Sequence, residues 1–552
     1  MRMVSWNAVN FRALILAATL LNSCHRDAET PFASGADAFP ILTPETPTKP
    51  RITGGKIFGV RPGSPFFFQV TAAGRHPFTY EASGLPVGLT ISSTTGEISG
   101  TLSIPGRYPV NLRVQNSAGT AERLLTIVVG DEIALTPPMG WNSFNAFGNF
   151  ATQEQVLAAA HALVRAGLRD HGWLFVNVDD GWQGNRGGPF HAIQPNKKFP
   201  DIQSLANQIH GLGLKFGLYS TPARTTFGWH IGSSADNADG TYDWIADHTH
   251  DEFYKYTVPE YHSRLEDFAW LKPFADHQRK KFRRDFTRDR RTIGYPFIEQ
   301  DVRQWTAWGV DYLKYDWLPI DVPNAEAMRA QLRHSGRDIV YSLSNNAPFA
   351  LAPQLSRIAN AWRTSVDIED TWKSVSAIGF AQDKWAPYQS PSHYNDPDML
   401  VLGHVIWSRP GPTRLTSDEQ YTHMSLWCLL SGPLLLGADL DKLDPFTLGL
   451  LTNDDVLDVH QDSLCHQAKC VARDGDANVY AKTLDDGSRA VGLFNRGRRP
   501  MVVRARWNDL GLTRPQLVRD LWRQKDLGKF SDQFETTVAP HGVVLLKIAP
   551  IK

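Results

Sequence analysis

The 552-residue chain has little cysteine, four residues in all, and no excess of either charge: Lys plus Arg and Asp plus Glu number 57 each. Four cysteines are too few for a disulfide framework. A formal net charge of zero leaves no global field to steer the chain to nucleic acid, and no nucleic-acid partner is expected; a small neutral substrate suits that balance better. The spacing of His248, His250 and Asp251 is weakly metal-like but reads as ordinary polar surface, so neither metal nor cofactor is expected. What the chain has in quantity is aromatic residues, with 17 Trp. Flat rings stack on sugar faces, although most of these read as core. With 42% hydrophobic and 21% charged residues, the composition is that of a soluble globular protein, and the length implies two to four domains.

The N-terminus reads as a targeting segment. Arg2 and Arg12 precede the apolar run "ALILAATLL", too short to span a membrane, which ends at "LNSC". A small residue followed by cysteine resembles the lipobox of bacterial lipoproteins. That resemblance implies that residues 1–24 are a lipoprotein-type signal, that Cys24 is lipidated and attaches the chain to a membrane, and that the protein is exported to a bacterial-type cell envelope. A plain secretory signal cut nearby is the alternative. Cys465 and Cys470 are close enough in sequence to pair in an oxidising compartment, while Cys428 in "SLWCLL" reads as core.

Residues 25–50, rich in Pro and Thr and without period, read as a linker. Residues 51–133 hold short β-rich runs such as "FFFQVTA" and "YPVNLRVQN" between turn signals, the pattern of a small β-sandwich. They resemble the immunoglobulin-like modules found beside bacterial secreted enzymes; spacer or binding module is the expected role. From residue 134 to 465 strand and helix patterns alternate. The strand candidates include "MGWNSF", "WLFVNVDD", "KFGLYS", "DYLKYDW", "DIVYSLS", "AWRTSVDI", "YNDPDMLVLG" and "PLLLGADL". Asp179, Asp180, Tyr219, Asp316, Ser344, Asp367 and Asp398 all fall at C-terminal ends of these runs. Convergence of so many strand ends predicts a closed (β/α)8 barrel with its site at that face. Residues 466–552 return to β patterning, with an Asp-Gly hairpin signal in "TLDDGSR", and predict a terminal antiparallel β-sandwich.

Strand-end carboxylates and a neutral substrate point to glycoside hydrolysis, which places two carboxyl groups across the scissile bond. In "DYLKYDW", alternation puts Lys314 and Asp316 on one face of a strand. Lys314 is expected to lower the pKa of Asp316, as a nucleophile requires. The partner acid lies in "AWRTSVDIEDTW", where Arg363 and Asp367 are four apart. Spacing alone leaves Asp367, Glu369 and Asp370 as alternatives.

Seven motifs in order, "TPPMGWNSFNAFG", "NVDDGW", "FPDIQSLANQIHGLGLKFGLYS", "WGVDYLKYDW", "WRTSVDIEDTW", "NDPDMLVLG" and "DVLDVHQD", resemble glycoside hydrolase family 27, the retaining α-galactosidases and α-N-acetylgalactosaminidases. The resemblance implies an oligosaccharide or polysaccharide substrate, Asp316 as nucleophile and Asp367 as acid/base. It further implies that Trp141 lines the sugar, that Asp179 and Asp180 accept from its hydroxyls, and that Tyr219, Lys314, Arg363 and Asp398 complete the subsite. By the same likeness Ser344 and Ala347 stand where the family selects its sugar. Their small size leaves room for a 2-acetamido group, but Asn345 and Asn346 depart from the family pattern between them. Release of terminal α-galactose is the first expectation. α-N-acetylgalactosaminidase, another α-glycoside or pyranosyl-pentoside specificity, and a catalytically silent carbohydrate-binding lipoprotein are the alternatives. The chain also lacks the cysteines many relatives carry, having Gly181 and Leu318 nearby, and it carries a long insertion at about 221–296. Starting from strand three, that insertion either roofs the pocket, through Trp229, His230 or Trp244, or forms a peripheral subdomain.

Overall fold

The computed structural model describes residues 39–228, 230–242, 293–406 and 410–551. Cys24, Trp229, Trp244, His248, His250, Asp251 and the basic run "KKFRRDFTRDRR" lie outside the described residues. The elements of the fold all belong to the compact unit Ile41–Lys552.

The alternating stretch folds as eight parallel strands: β1 (Met139–Asn142), β2 (Phe175–Asn177), β3 (Lys215–Ser220), β4 (Tyr312–Asp316), β5 (Val340–Ser344), β6 (Ala361–Arg363), β7 (Tyr394–Asp396) and β8 (Leu434–Leu436). Neighbours pair in sequence order from β1 to β7, and β8 pairs with β1. The ring closes just beyond β7, where Leu400 bridges Leu436 in parallel. Each of the eight strands lies within one of the runs named from the sequence. Because helices cover the outside and side chains fill the inside, the strands are buried along almost their whole length, which is why they read as apolar runs. The polar exceptions gather at the C-terminal ends.

The helix Ser417–Leu430 shows why the last domain is not an appendage. Thr416 and Glu419 close a capping box at its start, and from Glu419 onward each residue is buried. A helix buried all round must be covered on every side, with partners for its polar groups, here Glu419, Gln420, Thr422, His423 and Ser425. Here the barrel lies on one side and the C-terminal sheet on the other, with Trp427 Nε1 donating to Asp398 O (2.7 Å) and Trp522 Nε1 to Ser425 Oγ (2.8 Å). That C-terminal domain has a six-stranded antiparallel sheet, Lys469–Asp474 to Val543–Pro550, faced by the paired strands Met501–Arg506 and Gln533–Val538. Its own core includes Val491, Trp507 and Phe534. The N-terminal module has a four-stranded and a three-stranded sheet around Val60, Phe66, Ile98 and Val110.

The cysteine expectation is corrected. Cys428, Cys465 and Cys470 are all free, because Cys465 turns its thiol to Leu135 O (3.3 Å) beneath the barrel while Cys470 sits in a strand bonded to Ala472 O. Part of the 25–50 stretch is also fixed: Leu42 N donates to the Tyr421 hydroxyl and Thr43 Oγ1 to Gly449 O (2.6 Å).

Candidate active site

A cavity of about 240 Å³ opens at the C-terminal ends of the strands. Its floor is a charge cluster. Asp179, at the end of β2, accepts Asn142 Nδ2 and Lys314 Nζ on Oδ2 (2.8 Å each) and the Asp180 backbone N–H on Oδ1 (2.9 Å). Lys314 on β4 therefore pairs with Asp179 across β3 and not with Asp316. Burial opposes the lysine's charge, but Asp179 and Asp316 outweigh it and raise its pKa.

Asp180 takes the Gly228 N–H on Oδ2 at 2.6 Å, while its Oδ1 is buried without a protein partner. Burial pushes this carboxyl up to about 7, with the charges of Asp179 and Asp316 adding to it. Asp316 ends β4 with Oδ1 likewise unpartnered. Burial pushes Asp316 up to about 6 against the opposing pull of Lys314 and Arg363. Lys314 lowers it as expected, but removal from water outweighs the lysine's field, so the net shift is upward and not downward. Tyr219, at the end of β3, is held well above its ordinary range by burial and by Asp316 and Asp180, so its hydroxyl keeps its proton.

The opposite wall is built on Arg363, which is buried at the end of β6. Its Nη2 donates to Asp367 Oδ1 (2.5 Å) and to Asn345 Oδ1, and its Nη1 lies 3.4 Å from Asp398 Oδ2. Burial disfavours an ionised Asp367, but the charges of Arg363 and Lys314 and the hydrogen bond from Arg363 hold it below the ordinary carboxylate range. Asp398 adopts a left-handed backbone (φ 80) and accepts the Ile368 and Met399 N–H groups (2.8 Å each), fixing the turn that presents Asp367. Geometry resolves the three neighbouring acids. Asp367 faces the cavity, whereas Asp370 is buried against Arg414 (2.7 Å) and Glu369 is absent from the wall.

Eight of the ten residues named from the sequence line this cavity or its floor: Asp179, Asp180, Tyr219, Lys314, Asp316, Arg363, Asp367 and Asp398. Two do not. Trp141 is fully buried and donates Nε1 to Ala438 O (2.7 Å); alternation along β1 sends Asn142 to Asp179 and turns Trp141 away. Phe144, in the turn of helix just after β1, is on the wall instead. Ser344 is buried and off the wall, which Asn345 occupies. The insertion also reaches the cavity, through Phe227 and Gly228; His230 instead donates its N–H to Thr226 Oγ1 (3.0 Å). The sequence signal for Gly228 is faint, but a Cβ there would stand 2.8 Å from Asp180 Oδ2. Among the described residues no group of three or more His, Cys, Asp and Glu side chains is placed to hold a metal ion.

Residues 136–259 and 288–462 match the family described as Alpha galactosidase A. The chain belongs to that family. Its members are glycoside hydrolases, and so is this protein. Residues 474–548 match the alpha galactosidase C-terminal beta sandwich domain, and residues 40–130 match an Ig domain family. Among relatives of the family, Alpha-galactosidase 2 of Arabidopsis thaliana is 31% identical over 423 residues, covering 75% of this chain and 90% of its own length. A Bacteroides fragilis crystal structure superposes with a TM-score of 0.76 at 31% identity, over 92% of this chain and 99% of that one. A GH27 β-L-arabinopyranosidase from Geobacillus stearothermophilus gives a TM-score of 0.60 at 28% identity, over 76% and 97%.

Proposed function

We propose that this hydrolase releases terminal α-linked galactose with retention of configuration. The observation that carries the reading is one cavity in which two of the five lining aspartates, Asp316 and Asp367, face each other in unlike settings. Asp316 is buried with a free oxygen, and Asp367 is held by Arg363 on the facing wall. Asp316 attacks the anomeric carbon while Asp367 protonates the departing oxygen; Asp367 then deprotonates the water that cleaves the glycosyl-enzyme. Lys314, Tyr219 and the free oxygen of Asp180 are the groups that meet the sugar hydroxyls.

Acid catalysis requires a protonated Asp367, and without substrate Arg363 favours the charged form. A sugar hydroxyl that draws Arg363 away removes the donor, and the aglycone excludes water; both changes raise the proton affinity of Asp367. The charge of Asp367 in turn adds to the upward shift of Asp316.

α-Galactosidase activity of relatives supports galactose as the sugar, and a wall residue argues against N-acetylgalactosamine. Asn345, tied to Arg363, stands on the wall where the smaller Ser344 was expected to leave room. The arabinopyranosidase likeness keeps a pentoside in the test. Matched aryl α-galactoside, α-N-acetylgalactosaminide and β-L-arabinopyranoside should give the highest kcat/KM for the first. Silence on all three refutes hydrolysis of this class and favours carbohydrate binding alone. The lipobox-like "LNSC" after a short apolar run supports attachment of the enzyme to a bacterial-type cell envelope through a lipid on Cys24. Mass spectrometry of the mature N-terminus checks this, since an acylated Cys24 is expected and an unmodified terminus contradicts it.

A further inference from the structure

At the other end of the barrel the N-terminal module covers the N-terminal ends of the strands, and a second cavity of about 140 Å³ lies in the seam. From the barrel come Met139, Phe175, Lys215, Asp311, Arg337 and Val340; from the module come Phe58, Phe67 and Phe68. Lys215 opens β3, and its Nζ lies 5.2 Å from the Phe58 ring centroid and 5.8 Å from those of Phe67 and Phe175.

The nearby carboxylates are committed elsewhere. Asp311 accepts His210 Nε2 (2.7 Å) and the Phe216 N–H (3.0 Å) on one oxygen and Arg337 Nη2 (2.6 Å) on the other. Asp338 accepts the Arg61 N–H (2.9 Å) on one oxygen and Ser64 Oγ (3.1 Å) on the other, with Arg61 Nε 3.8 Å away. Each oxygen of these two carboxylates thus already has a donor other than Lys215. Among the described residues Lys215 Nζ makes no hydrogen bond or ion pair; three rings face it, and Asp311, Asp338 and Arg337 act on its charge from further off. An ammonium held by aromatic faces retains its N–H donors for a further acceptor.

We infer that this seam is a binding site for a small organic monoanion, a carboxylate on Lys215 with an apolar body among the phenylalanine rings. Charge sets the sign, since among the described residues Arg337 and Arg61 are ion-paired and Lys215 is not. Size and lining set the body: a cavity of about 150 Å³ lined by apolar side chains admits a benzene ring. Burial lowers the lysine's proton affinity, and a bound anion offsets that effect. The module is what makes the site, because two of the three rings around Lys215 belong to it.

Benzoate titrated into the full-length protein by calorimetry is the probe, with butyrate as a smaller acid and benzamide as the neutral isostere. Saturable one-to-one binding of benzoate is expected, at least tenfold tighter than benzamide, and lost in Lys215→Met. Glycoside turnover, at the opposite end of the barrel, should be unchanged in that variant and serves as its folding control. No saturable binding of either acid, or benzamide binding as well as benzoate, overturns the inference. So does equal affinity of a turnover-competent Lys215→Met. If Lys215→Met does not fold, the benzoate–benzamide comparison on the unaltered protein decides alone.

Discussion

Asp180 and Asp316 each keep one buried oxygen without a protein partner, an arrangement that costs stability unless something binds there. Both carboxyls are pushed up by burial, Asp316 to about 6. The reaction needs Asp316 ionised and Asp367 protonated, one proton between them, so a plot of kcat/KM against pH should be bell-shaped and fall as pH rises above about 6, where both carboxyls are ionised. Asp316→Asn should lose at least about 1,000-fold in kcat with little change in fold. Gly228→Ala tests the insertion's part in the site. Its Cβ would meet Asp180 Oδ2 and Asn149 Nδ2, so kcat/KM should fall about tenfold to a hundredfold while the melting temperature stays near that of the parent. Strand-end acids were legible in the sequence because alternation fixes which face they share. Phe144, Phe227, Gly228 and Asn345 were not, because they enter from turns, where no period relates sequence position to direction.

At the scale of elements, a buried ion pair ties the hairpin after β2 to the helix that follows the insertion. Arg186, on the hairpin Gln183–Gly187 with Ala192–Pro195, places Nη1 2.6 Å from Asp301 Oδ1 on the helix Ile298–Trp308, and both side chains are almost fully buried. The same guanidinium donates to Gly232 O (2.9 Å) and lies over the Phe297 ring. Arg186→Met strands the Asp301 charge and should cost about 3–5 kcal/mol in chemical denaturation, whereas adding Asp301→Leu should recover most of it. The sequence named eight strands because parallel, doubly covered strands are short apolar runs. It did not show that the return of the insertion, from Ser234–Ala235 to Tyr295–Pro296, pairs as a two-stranded sheet, since two-residue strands have no pattern to read.

At the scale of the molecule, the N-terminal module is joined to the rest by specific contacts and not by a bare linker. Arg51 reaches Asp455 (2.8 Å) and Asp458 (2.7 Å), Thr53 Oγ1 donates to Asp170 O (2.6 Å), and Arg61 engages Asp338. Exposed ion pairs contribute little each, so the docking rests on the apolar seam around Phe58, Phe67 and Phe175. Removing residues 41–130 should lower the melting temperature by about 5 °C or more while leaving kcat of the surviving protein within about twofold, as differential scanning and steady-state kinetics can show. The domain order was legible from composition. The docking was not, because nothing in a β-sandwich's alternation says which outer face meets another domain.

The central claim is that Asp316 is the nucleophile and Asp367 the acid/base, and azide rescue tests it most directly. With an activated aryl α-galactoside, Asp316→Gly leaves room for azide on the face opposite the leaving group and should yield β-galactosyl azide. Asp367→Gly keeps the nucleophile, so azide attacking the glycosyl-enzyme should yield α-galactosyl azide. Exchanged products, or unassisted wild-type turnover by Asp316→Gly, would contradict the assignment.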